Sequence, residues 1–306
     1  MSSHVLIKRI LDDHRPGLYC YVLLDPLAAA ESSEHSLMKH LASALGEQAL
    51  TRVYRPDLPS EPSLHPVLVC LSSADIQPCT SLLEMTALVA QQDIQRRKRY
   101  VCGWLLSEAN PTALAGHLTA LCRLPDGSGS TTCCPIFEPL RLELLAAMSD
   151  RAQGPWWPID RWVFLSSGGS LATLKGNPQA ARGLPANALR IQGNVPLIEA
   201  VLAVWRSVSA LSGATNAPVM PPFAAVRTSN HIDDARGLGL SEGQDIQVLA
   251  LHMLCFHPKL HTLQVVLDMV NTAINQQRPL APMLAQYSDS GWQRLVATLP
   301  RSEAYP

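Results

Sequence analysis

The chain has 306 residues, of which 47% are hydrophobic and 16% charged, and its formal net charge is −1. Globular proteins usually carry about 25% charged residues, so this surface is sparingly charged and close to neutral, with weak repulsion between molecules. That balance speaks against nucleic acid, which needs a clustered excess of Lys and Arg, and the length suits about two domains burying roughly 75% of the unfolded surface.

Residues 1–15 (MSSHVLIKRILDDHR) read as a short amphipathic helix, without the long apolar stretch and small-residue cleavage site of a signal peptide. Residues 18–24 then form an apolar strand ended by Asp25 and Pro26. A helix is predicted over 33–45, where Leu37, Leu41 and Leu45 recur every four residues and Gly46 is the stop. Residues 56–66 hold four prolines and read as a loop. A strand over 67–71 and a helix over 80–95 follow. The next residues, Arg96, Arg97, Lys98 and Arg99, read as a solvated helix C-terminus whose cations complement the helix dipole, or as a contact for an acidic partner.

Residues 99–145 are the centre of the plan. An apolar strand over 100–106 precedes Asn110 and Pro111, a side-chain cap and a proline suited to the first helical position. The helix places Leu114, Leu118 and Leu121 on one face with His117 beside them, and a turn at Pro125, Asp126 and Gly127 ends it. A second apolar run spans 131–137, and Glu138 with Pro139 opens another helix. Strands and helices thus alternate over the first 150 residues, which predicts a mixed or parallel sheet flanked by helices. Gly154 to Pro158 (GPWWP) reads as a boundary, followed by a hairpin over 162–174. From 176 onward only helices are predicted, with an extended linker over 216–223. The fold class is therefore α/β, with an α/β lobe over 1–175 and a smaller all-helical lobe over 176–306. The most apolar helix, 195–209, is interrupted by Glu199 and Arg206 and falls short of the roughly 20 residues that cross a bilayer, so membrane insertion is not expected. None of the eight cysteines forms a C-x-x-C pair, and Cys20, Cys70 and Cys102 sit inside apolar strands as small hydrophobes, which suits a reducing cytoplasm.

Familiar catalytic motifs are missing: no nucleophile elbow, no zinc-protease helix, no complete phosphate loop. His252, Cys255, His257 and His261 are rich in ligand types, but Pro258 breaks the helix between them, and a helix corner is the plainer reading. His117 could meet Glu138 or Arg141 at the end of the sheet, yet no residue is nominated as a nucleophile for it to activate. Trp156 and Trp157 read either as core filling or as an aromatic anchor for a partner.

Several blocks also carry a resemblance. They are LYCYVLLDP (18–26), PVLVCLS (66–72), the strand Gly103, Trp104, Leu105, Leu106 and Ser107, the pair His117–Leu118, the turn Asp126–Gly127, the helix opening Phe137–Glu138–Pro139, and residues 235–261. In this order they resemble the adaptor or chaperone family of bacterial type VI secretion, whose members load toxic effectors onto the secretion spike. The resemblance implies a non-enzymatic cytoplasmic protein without cofactor or metal. Its partners would be a secreted toxin effector, held near the effector's N-terminus, and a spike protein of the type VI apparatus. Trp104, His117, Glu138, Arg141, Trp156 and Trp157 are the candidate partner-binding residues. The alternative expectation is an unrecognised α/β enzyme with a site around His117 and Glu138.

Overall fold

A strand such as Tyr19–Leu24 (YCYVLL), apolar at every position, has no face to offer water and needs cover on both sides. The structure, a computed structural model, describes residues 3–28, 34–125, 130–148, 154–180, 184, 188–211 and 220–300. In chain order the first half comprises α1 (Ser3–Asp13), β1 (Tyr19–Leu24), α2 (Glu34–Leu45), β2 (Leu50–Arg52), β3 (Val67–Ser72), α3 (Thr80–Gln92), β4 (Val101–Ser107), α4 (Pro111–Leu121), β5 (Arg123–Pro125), β6 (Thr131–Cys133), α5 (Pro139–Met148), β7 (Ile159–Leu165) and β8 (Leu171–Lys175). Helices follow: α6 (Ala188–Gly193), α7 (Val195–Leu211), α8 (Ala224–Gly237), α9 (Gly243–Cys255), α10 (Gln264–Gln276), α11 (Leu280–Leu284) and α12 (Asp289–Val296). No helix among the described residues is long and apolar enough to cross a membrane.

The six-stranded sheet has the order β2-β3-β1-β4-β7-β8. Alternation along β1 sends Cys20, Val22 and Leu24 to one face, where they join Leu6 and Ile10 of α1, Leu37 and Leu41 of α2, and Leu83 and Ala87 of α3. Tyr21 and Leu23 point the other way, into a core with Leu114 and Leu118 of α4, Leu142 and Leu145 of α5, Phe137 and Trp162. The sheet is thus covered by helices on both faces, as an α/β protein requires.

Strand direction corrects the expected mixed or parallel sheet: every neighbouring pair is antiparallel. Helix α3 does join two strands of the same direction, β3 and β4, but β1 lies between them and runs opposite to both. Alternation in the sequence reports such a crossover and is blind to which strand fills the gap. Local signals fare better: Asn110 accepts from the Ala113 amide at 2.9 Å to cap α4, and β7 and β8 form the predicted hairpin, with the Ser166 amide donating to the Ser170 carbonyl. The Asp126–Gly127 turn and residues 216–219 of the 216–223 linker lie outside the described residues.

Two compact units result, Met1–Gln192 and Gly193–Pro306, rather than lobes divided between 175 and 176. Residues 176–192 go with the first because Ala188 is buried in the α4–α5 core and Gln192 is hydrogen-bonded to Arg141. In the second unit α7, α8 and α9 pack on one another through buried Ile198, Leu202, Ile232, Ile246 and Leu249. Asp245 accepts from the Leu280 amide at 2.8 Å, tying α9 to the start of α11.

Gly103 shows how tightly β4 is held. The β1–β4 register slips between Leu23 and Leu24, and Gly103 opposite Leu23 adopts φ +141°, a conformation that residues with a side chain rarely take. An added Cβ would lie 2.7 Å from the Val163 carbonyl oxygen and 2.8 Å from the Trp162 indole nitrogen. Gly103→Ala should therefore destabilise the chain by about 2 kcal/mol or more, read as a lowered denaturation midpoint.

Candidate functional site

Charged side chains gather where β1 ends, in surroundings otherwise apolar. Asp25 follows β1 directly and is only 1% exposed; its amide donates to the Tyr100 carbonyl at 2.8 Å, and its Oδ1 accepts from the Leu27 amide at 3.1 Å. Arg55, also buried, lies on the loop beyond β2. Its Nε and Nη2 fork onto the Asp57 carboxylate at 3.2 and 2.6 Å, its guanidinium carbon stands 6.0 Å from the Phe137 ring centroid, and its backbone amide donates to His65 Nδ1. Helix α4 anchors this loop, since Thr119 Oγ1 donates to the Tyr54 carbonyl at 2.9 Å. Glu138, at the mouth of α5, pairs with Arg141 at 2.7 Å and Lys98 at 3.4 Å. Arg141 Nη1 in turn reaches Gln192 Oε1 at 3.1 Å and Cys134 Sγ at 3.4 Å.

Burial pushes the Asp25 carboxyl up to about 6 and Glu138 adds to the rise, while the Leu27 amide, Arg55 and Lys98 act against it. Asp57 shows the opposite balance: the Arg55 hydrogen bonds hold it down to about 2. One carboxyl is thus poised for proton uptake and another firmly ionised, with three cations nearby. Such a constellation suits recognition of charged or polar groups.

The candidate residues named from the sequence divide. Glu138 and Arg141 belong to this cluster. His117 does not pair with Glu138; it is half-buried on α4 near the Trp156 backbone, burial lowers its basicity, and its Nε2 has no hydrogen-bond partner. Trp104 and Trp156 are core residues instead of surface anchors. Trp104 is 1% exposed with its indole N–H donated to Thr86 Oγ1 at 3.0 Å, and Trp156 is fully buried, edge-on to Trp162. Trp157 is half-buried. The cation run after α3 is also no simple solvated helix end: Lys98 meets Glu138, and Arg99 is buried, donating to the Leu165 and Ser167 carbonyls.

His252, Cys255, His257 and His261 serve separate ends. His252 Nδ1 meets the Val248 carbonyl at 2.8 Å while its ring packs against Phe256 and Trp292; His257 Nδ1 accepts from the Lys259 amide; and His261 lies near Asp234 of α8. Among the described residues no group of three or more His, Cys, Asp or Glu side chains could hold a metal ion. Sequence reasoning missed Arg55, Asp57 and Gln192 and treated Asp25 only as a strand stop. The available signals were an aspartate directly after an all-apolar strand and a lone arginine at the edge of a proline-rich loop.

No protein-family model, curated protein or solved structure matches the chain.

Because folded Asp25 holds its proton more tightly than an unfolded carboxyl of ordinary value 3.8, the stability of the neutral form is present below that pH and is lost as pH rises through about 6. Asp25→Asn keeps an acceptor for the Leu27 amide but does not ionise. The stability advantage of this variant over the parent should grow by roughly 2–3 kcal/mol across that window, measured by denaturant unfolding at several pH values. A flat difference would show that Asp25 is not a buried, reluctant ion.

Proposed function

We propose that the protein is a non-enzymatic adaptor of the type VI secretion kind, which holds the N-terminal region of a toxin effector in the cytoplasm and helps load it onto the spike protein. The reading rests on the ordered family-like blocks of the sequence. One observation carries it further: Asp25, near the end of the first block, and Glu138, at the mouth of α5, lie more than a hundred residues apart yet act on one another electrostatically in a single cluster with Arg55 and Lys98. A sparsely charged surface fits a protein that works bound to a partner.

Co-expression with the toxin encoded beside it, followed by affinity capture of either protein, tests the reading. The adaptor should co-purify with the effector and keep it soluble; two proteins that purify apart, each stable, would remove the main support.

His117 gives a second handle. Truncating this half-buried side chain should make His117→Ala about 0.5–3 kcal/mol less stable, with effector capture falling only in step. A variant that melts like the parent but loses turnover of a small substrate would favour the enzyme instead.

A further inference from the structure

Three of the eight cysteines meet around one short ribbon. Cys122 is the first residue beyond α4, its amide donating to the Leu118 carbonyl, and β5 and β6 then pair antiparallel with Arg123 opposite Cys133 and Pro125 opposite Thr131. The ladder stops there, because Cys122 keeps the helical backbone of the α4 end (φ −75°, ψ −9°), but the Cys134 amide donates to the Cys122 carbonyl at 2.7 Å and holds the two residues side by side. One amide–carbonyl bond of that length brings two Cα atoms to about 5–6 Å from each other, inside the roughly 4.4–6.8 Å that a disulfide spans. Both side chains lie in the same apolar core, 1% and 7% exposed.

We propose that Cys122 and Cys134 are a switchable cross-ribbon disulfide pair, present here as free thiols and oxidised by exchange with a low-molecular-weight disulfide such as oxidised glutathione. The Cys134 thiolate attacks one sulfur of that disulfide, forming a mixed disulfide and releasing one thiolate. The Cys122 thiolate then attacks the Cys134 sulfur, closing the protein bond and releasing the second. Two protein thiols are oxidised, one small disulfide is reduced to two thiols, and the two protein protons pass to the departing thiolates. Arg141, 3.4 Å from Cys134 Sγ, favours the anion there and makes Cys134 the first nucleophile. Burial raises both thiols, Cys122 to about 12, so exchange speeds up as pH rises. Cys133 also lies close enough to raise Cys122, but its own thiol lies close enough to Asp57 on the Arg55 loop for that carboxylate to raise it. The bond would tie the end of α4 to the segment entering α5 and remove the thiol that contacts Gln192 at 3.8 Å.

The test incubates the full chain in glutathione buffers from reducing to oxidising at mildly alkaline pH. Acid quenching, alkylation and non-reducing peptide mapping then locate each linkage. The expected product is one intramolecular Cys122–Cys134 disulfide, retained in Cys133→Ser and lost in Cys122→Ser and Cys134→Ser. Far-ultraviolet circular dichroism of the reduced variants verifies that they are folded; if either is not, the map of the parent and of Cys133→Ser decides alone. Exposed Cys79 and Cys255 report that the oxidant acted, by forming mixed disulfides with glutathione. A linkage through Cys133, another intramolecular pair, or mixed disulfides at Cys79 and Cys255 with Cys122 and Cys134 both still alkylated overturns the proposal.

Discussion

Strand β1 has no polar face, and its place between β3 and β4 makes it the axis of the first unit. Burying Cys20, Val22 and Leu24 on one side and Tyr21 and Leu23 on the other requires a helical layer on each face, which α1, α2 and α3 supply on one side and α4 and α5 on the other. At roughly 25 cal/mol per Å² of apolar surface, a central strand covered twice contributes more than an edge strand of equal length. Insertion of β1 also explains why β3 and β4 share a direction without touching, and why the bulge at Leu23 and Leu24 needs a glycine across from it.

The same burial sets the chemistry at the end of β1. A chain leaving such a strand must turn, and Asp25 turns it by accepting from the Leu27 amide, but in a site from which water is almost absent. A buried carboxylate is costly unless compensated, so the cations nearby and the upward shift of its protonation belong to one balance. Arg55, Lys98 and Arg141 reach this place from a loop, a strand approach and a helix, each already engaged with a carboxylate: Asp57, Glu138 and Glu138. An ion network of this kind fixes the ends of several elements against one another.

Histidines show how weak residue type is as a guide to chemistry. His65 accepts from the Arg55 amide and His252 meets a carbonyl one helical turn earlier, so both are bound to main chain, while His117 sits half-buried near the Trp156 backbone. The His65 and His117 contacts join different segments and follow no period in the sequence. In the second unit, packing of His252, Phe256 and Tyr287 around buried Trp292 turns what resembles a ligand set into part of a hydrophobic seat for α12.

The sequence by itself determined the class and most of the longer elements, while β2, α6, α11 and α12 carried no signal that was read from it. The Asn110–Pro111 start of α4, the period-four leucines of α2, the β7–β8 hairpin and the change to helices alone are local matters of backbone geometry and side-chain spacing, which neighbouring residues decide. Only the tertiary structure decided that the sheet is antiparallel throughout, that residues 176–192 go with the first unit, that Trp104 and Trp156 are core, and that Asp25, Arg55, Lys98, Glu138 and Arg141 form one cluster. A continuous apolar run states that a strand is covered on both faces but not which strand lies beside it, and a charged residue states its charge but not its partner. Both are settled by contacts between residues far apart in the chain, for which local periodicity carries no signal.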